Sequence, residues 1–366
     1  MFELLVFIII LSILVLSHEF GHFWVAKKSG MRVDEFGFGF PPKLWGKKYG
    51  ETEYTINLIP FGGFVKIYGE DDPNPEYQGG GRKFASKSKW AQAAVIVAGV
   101  AFNFILAWLL FSIGFMIGFP TPLTEDTIGI VENPQVLITN VFNESPAEVA
   151  DLRIGDAVLA LSQGGRRIDV QDPSQVSEFV SNSGVGEIAF RILRDGKEEV
   201  VTITPAQGIL EGRQAIGISL ESIGLVSLPP HIALWEGLKK TGQFIWLTVF
   251  GFFGIIKDAL VGQAGFETIS GPIGIYSLVG QAQTLGFTYL LGFTALISIS
   301  LGIINLVPFP ALDGGRLLFL IIEAVKGSPI KPQVANTLNY VGFGILLLLM
   351  VLVSYGDLLK IGVIGS

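Results

Sequence analysis

The stretch Ser17-His18-Glu19-Phe20-Gly21-His22 has the spacing H-E-x-x-H, and the interpretation of the whole chain starts from it. Residues four apart on a helix share a face, so the imidazoles of His18 and His22 can reach one metal ion. Glu19 lies beside them and could take a proton from a metal-bound water. The chain has three histidines, and the third, His231, is distant in sequence.

An apolar run leads directly into this motif. Residues 4–16 read LLVFIIILSILVL, so the motif continues a helix of the membrane-spanning type. An ionised side chain at the centre of such a helix costs about 2.5–3.5 kcal/mol on insertion scales, and intramembrane ionisable groups are therefore functional by default. A chance H-E-x-x-H is the alternative, and this setting argues against it.

The composition is that of a membrane protein with soluble parts. Of 366 residues, 50% are hydrophobic and only 16% are charged. The net charge of -7 argues against a nucleic-acid binder, and the absence of cysteine excludes disulfides and cysteine-ligated zinc. The first residues lack a basic region and a small-residue cleavage site, so we do not expect a signal peptide.

We predict a polytopic α-helical membrane protein with about four transmembrane helices. They are expected at 1–26, at 90–119, within 285–325 and at 340–361. The 285–325 segment also contains the motif Leu312-Asp313-Gly314. Residues 207–284 are predicted to form a linker with an amphipathic helix. Its apolar part holds about 16 residues between lysines, fewer than the roughly 20 that a span needs, so an interfacial or shallow helix is expected there.

The loop at 27–89 is predicted to contain a membrane-associated β-hairpin. Within residues 51–69, Tyr54, Ile56 and Leu58 alternate with polar residues, and Gly62-Gly63 follows as the expected turn. The hairpin could lie on the surface or dip toward the metal site.

A soluble β domain is predicted at 128–206, inserted between the second and third spans. The surrounding 120–230 region holds seven Lys or Arg against sixteen Asp or Glu. Its alternating stretches predict four strands and one short helix, with Asp195-Gly196 as a hairpin turn. The strands are expected at Val136–Val141, Ala157–Leu161, Glu187–Leu193 and Glu199–Thr204, and the helix at Ser174–Ser181.

Charge in the loops sets the expected orientation. The 27–89 loop carries eleven Lys or Arg, and 316–331 is also basic, so both are expected in the cytoplasm with the acidic 120–230 region outside. The H-E-x-x-H motif and Asp313 then lie toward the same side of the membrane.

A third metal ligand has to be a carboxylate, because cysteine is absent and His231 belongs to the outer side. Asp313, within PFPALDGGR at 308–316, fits this requirement best, and Glu323 is the reserve candidate. Asp313 could instead cap the helix that follows it. Asn103 is polar at membrane depth, and it could hold two helices together or contact a substrate.

Together, the H-E-x-x-H motif, the stretch NLVPFPALDG at 305–314 and the insert between them resemble the site-2 protease family of intramembrane metalloproteases. The closest resemblance is to the bacterial RseP-like regulators, and the stretches at 36–45, 60–66 and 270–274 also match the family. Within the insert, SPAEVADLRIGD at 145–156 resembles the turn of a single PDZ domain. Asp151 stands there where the family often has glycine, which leaves the peptide groove of the domain open to question.

The resemblance implies that His18, His22 and Asp313 bind Zn²⁺, that Glu19 is the general base and that Asn305 helps to hold substrate. A substrate helix must unwind before it is cut, and an edge strand could hold it extended. We therefore expect Phe64, Val65 and Ile67 to contact substrate as well.

The expected function is cleavage of transmembrane segments of single-span membrane proteins, such as anti-sigma factors or remnant signal peptides. The expected location is the inner membrane, with the bilayer as a partner and the PDZ-like domain on the extracytoplasmic side, where it could contact peptide. Two alternatives are a non-catalytic membrane PDZ scaffold and a metal transporter.

Overall fold

The computed structural model describes residues 2–70, 80–123, 127–142, 144–184, 186–194, 196–210, 213–261 and 270–360. The chain divides into two compact units. The first, the helical unit, contains Met1–Ser112 and Leu234–Ser366, and the second, the inserted unit, contains Ile113–Ala233.

The helices are α1 (Phe2–Lys28), α2 (Lys89–Ile117), α3 (Pro146–Val149), α4 (Pro173–Ser181), α5 (Pro230–Leu260), α6 (Pro272–Leu285), α7 (Phe287–Leu306), α8 (Asp313–Lys326) and α9 (Pro332–Lys360). The strands are β1 (Val33–Tyr49), β2 (Thr52–Ile67), β3 (Phe119–Pro122), β4 (Ile130–Val141), β5 (Ala157–Gln163), β6 (Arg166–Asp169), β7 (Ile188–Arg194), β8 (Lys197–Ile203), β9 (Ala206–Leu210), β10 (Arg213–Ala215) and β11 (Ile218–Ser227).

Four of the described helices are long and apolar enough to cross a membrane, namely α1, α2, α7 and α9. The predicted number of four is therefore confirmed by length and composition. One boundary differs from the prediction, because the last helix already begins at Pro332. Within the predicted 285–325 segment, the span ends at Leu306 and α8 follows as a separate helix. Proline lacks an amide donor and fixes φ, so Pro308 and Pro310 divide the predicted 285–325 segment.

The α1 helix packs against α6 through a small apolar cluster. Phe7, Ile10 and Leu14 of α1 are buried together with Val279 of α6. The start of α6 is held by α9, because Oδ2 of the buried Asp357 accepts hydrogen bonds from the amides of Gly271 and Gly274 at 2.9 and 2.8 Å. The carboxylate thereby satisfies donors that a helix N-terminus leaves unpaired.

The sheet of β1 and β2 has a different order from the predicted hairpin. Residues 63–67 pair with residues 33–38 in opposite directions, as in Phe36 with Val65. On its other side, Phe36 pairs with Tyr54 and Phe38 with Ile56, so those two segments run in the same direction.

The prediction of a hairpin turn at Gly62-Gly63 is therefore wrong. The segments before and after these glycines, near 53–56 and 63–67, pair with opposite edges of residues 33–38. The true hairpin partner of 52–57 is residues 43–49, for instance Lys47 with Tyr54. Among the described residues, 63–67 has a strand partner on one side only, and we call it the edge segment.

The inserted unit is built on a seven-stranded sheet with the order β3-β11-β4-β5-β7-β8, and β6 pairs with β5. Its core includes Ile138, Leu161, Phe179, Phe190 and Ile203. All four predicted strands and the predicted short helix are present in this unit.

The sheet extends past the predicted boundary at residue 206, because β11 pairs with both β4 and β3. Part of the predicted 207–284 linker is thus strand. The β7-β8 hairpin exists, but Asp195 of its predicted turn lies outside the described residues.

Candidate metal centre

The metal-site motif lies where α1 and α2 approach closely. A Cβ atom added to Gly21 would lie 2.4 Å from the Ala98 carbonyl oxygen, and one added to Gly99 would lie 2.4 Å from Nε2 of His22. Such distances are below van der Waals contact, so both positions require glycine. Gly99 gives the two imidazole rings a bare surface against which they pack.

His18, His22 and Asp313 form a compact triangle of ligand atoms. Nε2 of His18 lies 3.2 Å from Nε2 of His22, and Oδ2 of Asp313 lies 3.0 Å and 3.3 Å from these two nitrogens. Tetrahedral zinc with bonds of about 2.0–2.1 Å places its ligand atoms roughly 3.3 Å apart. The triangle therefore has the size that one such ion requires, and it was the only group of this kind found in the described residues.

The chemistry of these donors also fits a metal ion. Oδ2 of Asp313 is buried and has no hydrogen-bond partner among the described residues, which is costly unless a cation satisfies it. Nδ1 of His22 lies 2.8 Å from the Val95 carbonyl oxygen. A carbonyl can only accept, so Nδ1 carries the proton and Nε2 keeps its lone pair for a metal.

Asp313 reaches the site because of the bend between α7 and α8. It is the first residue of α8, and the residue at the N-cap position, Leu312, makes no side-chain cap. The Asp313 side chain points at the histidines, which does not support its alternative role as a helix cap. Close approach of the bend to α8 depends on Gly314, where an added Cβ would lie 2.2 Å from the Val307 carbonyl oxygen.

Glu323 is not part of the triangle. Its carboxylate pairs with Lys89 at 2.5 Å and accepts a hydrogen bond from the Ile330 amide. The structure thus brings the first candidate for the third ligand to the histidines and leaves the reserve candidate at another site.

A cavity of about 430 Å³ opens onto the triangle. Glu19 lines it together with the edge segment, which includes the predicted contacts Phe64, Val65 and Ile67. A Cβ added to Gly63 would lie 3.2 Å from Cγ of Glu19, so the edge segment begins directly beside the expected general base.

Two further residues, Asn305 and Arg316, differ in their relation to this cavity. Asn305, on α7, is half-buried and is not among the residues that line this cavity. Arg316 does line it and pairs with Glu70 at 2.6 Å, a contact that sequence reasoning missed. The position of Arg316, one helical turn after Asp313, was the available signal.

Asn103 is completely buried, and its Nδ2 lies 3.2 Å from Nδ1 of His18. The sequence suggested a helix contact or a substrate contact. The structure shows the helix contact, because Asn103 of α2 reaches His18 of α1. In the sequence, the spacing of Val95, Gly99 and Asn103 places them on one face of α2, but it does not indicate which residue that face contacts.

The inserted unit has a separate apolar groove of about 530 Å³. It lies between α4, with Val176 and Val180, and the start of β11, with Ile218 and Leu220. Asp151 does not line it. This residue has φ of 59°, a left-handed conformation that glycine adopts readily, and it pairs with Arg153 and Arg194. The residue at this departure is therefore not part of the groove surface.

The sequence model of peptidase family M50 matches residues 6–349. This chain belongs to peptidase family M50. The predicted resemblance to the site-2 protease family is confirmed, and the chain is a metalloprotease of that family.

Relatives match over almost the whole length of this M50 peptidase. The zinc metalloprotease RasP of Geobacillus kaustophilus is 29% identical, over 97% of this chain and 97% of its own length. RasP of Oceanobacillus iheyensis is also 29% identical, over 97% of this chain and 98% of its own. A protein of Clostridium perfringens is 34% identical, over 95% of this chain and 96% of its own.

Among solved structures, the PDZ domain of an SdrC-like protein from Listeria innocua covers 24% of this chain with 20% identity. The TM-score of 0.21 is too low to assign a fold.

Proposed function

We propose that this chain is an intramembrane zinc metalloprotease that hydrolyses a peptide bond within the transmembrane segment of single-span membrane proteins. The observation that carries the proposal is the triangle of His18, His22 and Asp313, whose ligand atoms lie 3.0–3.3 Å apart. Both histidines lie on α1, a helix of membrane type, and Asp313 begins α8 a few residues after the membrane-type helix α7. The names of the relatives support zinc as the metal.

In this proposal, His18, His22 and Asp313 hold the ion, and bound zinc would supply a Lewis acid and lower the pKa of water to about 7. Glu19 takes the proton from the attacking water and returns it to the leaving amine. Its place in the cavity beside the three ligands supports this role.

The edge segment is proposed to hold the unwound substrate. The main-chain amides of a strand edge inside a membrane cannot form hydrogen bonds with water, and neither can those of an unwound substrate. Pairing the two would satisfy both sets of groups by β-augmentation. The position of Phe64, Val65 and Ile67 in the cavity that contains Glu19 supports this role, and it also favours a sheet that dips toward the site over one on the surface.

The register indicates which amides of the edge segment are free. The Tyr68 amide donates to the Arg32 carbonyl oxygen at 2.9 Å, so the main chain at Tyr68 faces residues 33–38. Because main-chain groups alternate in direction along a strand, we expect Val65 and Ile67 to present theirs to the open edge. Asn305 is retained as a further proposed substrate contact, on the family resemblance alone.

Further proposals concern location and substrates. We place the chain in the inner membrane, with the basic 27–89 loop in the cytoplasm and the acidic inserted unit outside. The inserted unit is proposed to be PDZ-like, with its apolar groove as a peptide contact. Candidate substrates are anti-sigma factors and remnant signal peptides.

The two alternatives make different predictions for Glu19→Gln. A scaffold with a structural metal would not change, and a transporter would move metal without producing fragments. A protease requires Glu19, so the variant should accumulate an uncut single-span protein in membranes while it keeps its zinc. Proteomics of membranes that carry wild type or Glu19→Gln is the test. Identical membrane proteomes, with zinc bound to both, would reject the protease.

A further inference from the structure

Three positions on α2 form a stripe opposite the two histidines of α1. Val95, Gly99 and Asn103 are spaced by four residues, so they share one face of the helix. Gly99 lies against both rings, since an added Cβ would be 2.4 Å from Nε2 of His22 and 2.8 Å from Cε1 of His18.

The outer two positions of the stripe contact the second nitrogen of each ring. The Val95 carbonyl oxygen lies 2.8 Å from Nδ1 of His22, and the Asn103 amide lies 3.2 Å from Nδ1 of His18. Each imidazole therefore has one nitrogen directed at the ligand triangle and the other held by α2.

The two contacts differ in one chemical respect. A main-chain carbonyl can only accept a hydrogen bond, so Val95 fixes the tautomer of His22. The carboxamide of Asn103 has an accepting oxygen and a donating nitrogen of nearly the same shape. Asn103 can therefore stabilise either tautomer of His18, depending on which end it presents.

Within the described part of the chain, no other contact selects the orientation of the amide. Asn103 is fully buried, and its Oδ1 has no hydrogen-bond partner among the described residues. Rotation of the amide by 180° would exchange its oxygen and nitrogen and leave the nitrogen in that unpartnered place. One end lacks a described partner either way, so the contact with His18 decides the orientation.

The backbone at Asn103 is itself fixed. The Ser298 hydroxyl of α7 donates to the Asn103 carbonyl oxygen at 2.8 Å, and both residues are fully buried. On α1, the hydroxyl of Ser17, the residue before His18, donates to the carbonyl oxygen of the neighbouring Phe102 at 3.2 Å. The amide is thus held at the depth of His18 by contacts with two neighbouring helices.

We propose that Asn103 is a positioning residue of the metal site, whose carboxamide oxygen accepts the Nδ1 proton of His18 and so keeps the lone pair of Nε2 directed at the metal. The proposal rests on the proposed zinc site. A histidine that binds metal through Nε2 must carry its proton on Nδ1, and a partner that accepts this proton fixes both the tautomer and the ring.

The test compares three substitutions in the full-length protein in detergent, by titrating zinc against a competing chelator. Asn103→Leu has similar size and no hydrogen bond, and we expect its zinc affinity to fall about 10- to 100-fold, the usual effect of losing such a partner. As a carboxylate, the side chain of Asn103→Asp can only accept, so this variant should retain zinc within about threefold of wild type. If Leu does not fold, Asn103→Ala replaces it in the comparison with Asp.

Two controls separate this inference from the proposed function. Gln92→Leu also replaces a buried carboxamide of α2 by leucine. The Gln92 side chain donates to the Lys87 carbonyl oxygen and not to a metal-site histidine, so this variant should leave zinc affinity unchanged. Failure of wild type to bind zinc would reject the metal site itself. If wild type binds zinc tightly, two results would reject the role of Asn103 alone. One is an equal zinc affinity in Asn103→Leu, and the other is a weaker zinc affinity in Asn103→Asp than in Asn103→Leu.

An NMR measurement on protein labelled with ¹⁵N-histidine gives a second readout. The zinc-loaded wild type and Asn103→Asp should both show a proton on Nδ1 of His18 that is protected from exchange with solvent. A proton found on Nε2 of His18 in the zinc-loaded protein would overturn the proposal.

Discussion

Oδ2 of Asp313 lies 3.0 Å from Nε2 of His18. Along the chain, however, the two residues are almost 300 positions apart, and the whole inserted unit lies between them in the sequence. This contact predicts that the metal is lost when either partner is removed. We expect Asp313→Ala to retain less than about a tenth of the zinc of wild type, because two histidines alone leave an incomplete site. Metal analysis of purified protein measures this.

Glu323→Ala is the matched control for that substitution. It removes a carboxylate from the same helix, but one that pairs with Lys89, so zinc content should stay at one per chain. Full and tight zinc in Asp313→Ala would remove Asp313 from the ligand set and return Glu323 to consideration.

The Gly99 position predicts a strong effect from a single added methyl group. Gly99→Ala would bring Cβ within 2.4 Å of Nε2 of His22, so the rings or the helices must move apart. We expect about 1–3 kcal/mol of destabilisation from overpacking, together with weaker zinc binding. Gly344→Ala on α9 has no neighbour within 4 Å of its new Cβ and should change neither property. Thermal unfolding and chelator titration measure the two effects, and equal behaviour of both variants would contradict the close packing.

The edge segment predicts a difference between proline and alanine. Val65→Pro or Ile67→Pro removes one main-chain donor from the open edge, and cleavage should slow by at least about tenfold while zinc remains bound. Val65→Ala and Ile67→Ala keep the donor and should cut nearly as wild type does. Cleavage of a model substrate in proteoliposomes is the measurement.

A control for backbone distortion comes from the opposite side of the same sheet. Lys47→Pro lies in residues 43–49, which do not line the metal-site cavity, and should have little effect on cleavage. Equal rates for the proline and alanine variants at every position of 64–68 would show that the edge segment does not hold substrate.

The inserted unit is predicted to exclude substrates whose outer part is untrimmed. Because β11 pairs with both β3 and β4, removal of 128–206 would leave β11 without its partner β4, so the deletion should span 119–227. We expect the deleted protein to cut untrimmed substrates that wild type leaves intact. Loss of cutting of trimmed substrate, with zinc still bound, would contradict a filtering role.

Glu51 predicts a pH-dependent contribution to stability. Its carboxylate accepts hydrogen bonds from Arg82 at 2.6 Å and from Lys27 at 2.9 Å, and these cations lower its pKa to about 2. A depressed pKa stabilises the fold above the usual carboxyl pKa near 4.5, and this stabilisation is lost as the pH falls toward 2.

Glu51→Gln should therefore be less stable than wild type at pH 7, by about 1 kcal/mol or less because the group is partly exposed and screened by solvent. The difference should shrink between about pH 4.5 and pH 2. Unfolding of the detergent-solubilised protein at several pH values measures it. A gap of the same size at pH 7 and pH 2 would show that the ion pairs are not its cause.

Much of the metal site could be predicted from the sequence because its signals are local or chemically restrictive. The spacing of His18 and His22 needs only helix geometry. The chain has no cysteine, and the third ligand has to lie at the same membrane depth as the two histidines, so very few residues were candidates. Of these, the structure brings Asp313 to the histidines.

The order of the small sheet could not be predicted, because it depends on a segment that lacks a strand signal. Residues 33–38 include one glycine and two acidic residues, and only Val33 is β-branched, yet they form the centre of the sheet. A Cβ on Gly37 would lie 2.4 Å from the ring of Phe64, so the glycine is needed where that ring packs. The Gly62-Gly63 pair resembles a hairpin turn in sequence, although here it connects two segments that do not pair with each other.

The contact of Asn103 with His18 could not be predicted from the sequence either, because an asparagine in an apolar helix has many possible partners. Only the observed packing of α1 against α2 selects one of them.

The separation of His18 from Asp313 in the chain has a consequence for biosynthesis. A ribosome delivers α1, with both histidines, to the membrane long before it synthesises Asp313. In that interval two imidazoles alone would bind zinc weakly, so the nascent chain would acquire the ion and its hydrolytic capacity only after α7 and α8 have been inserted. Newly made protein would thus pass through the insertion machinery, among many other transmembrane segments, in an inactive form.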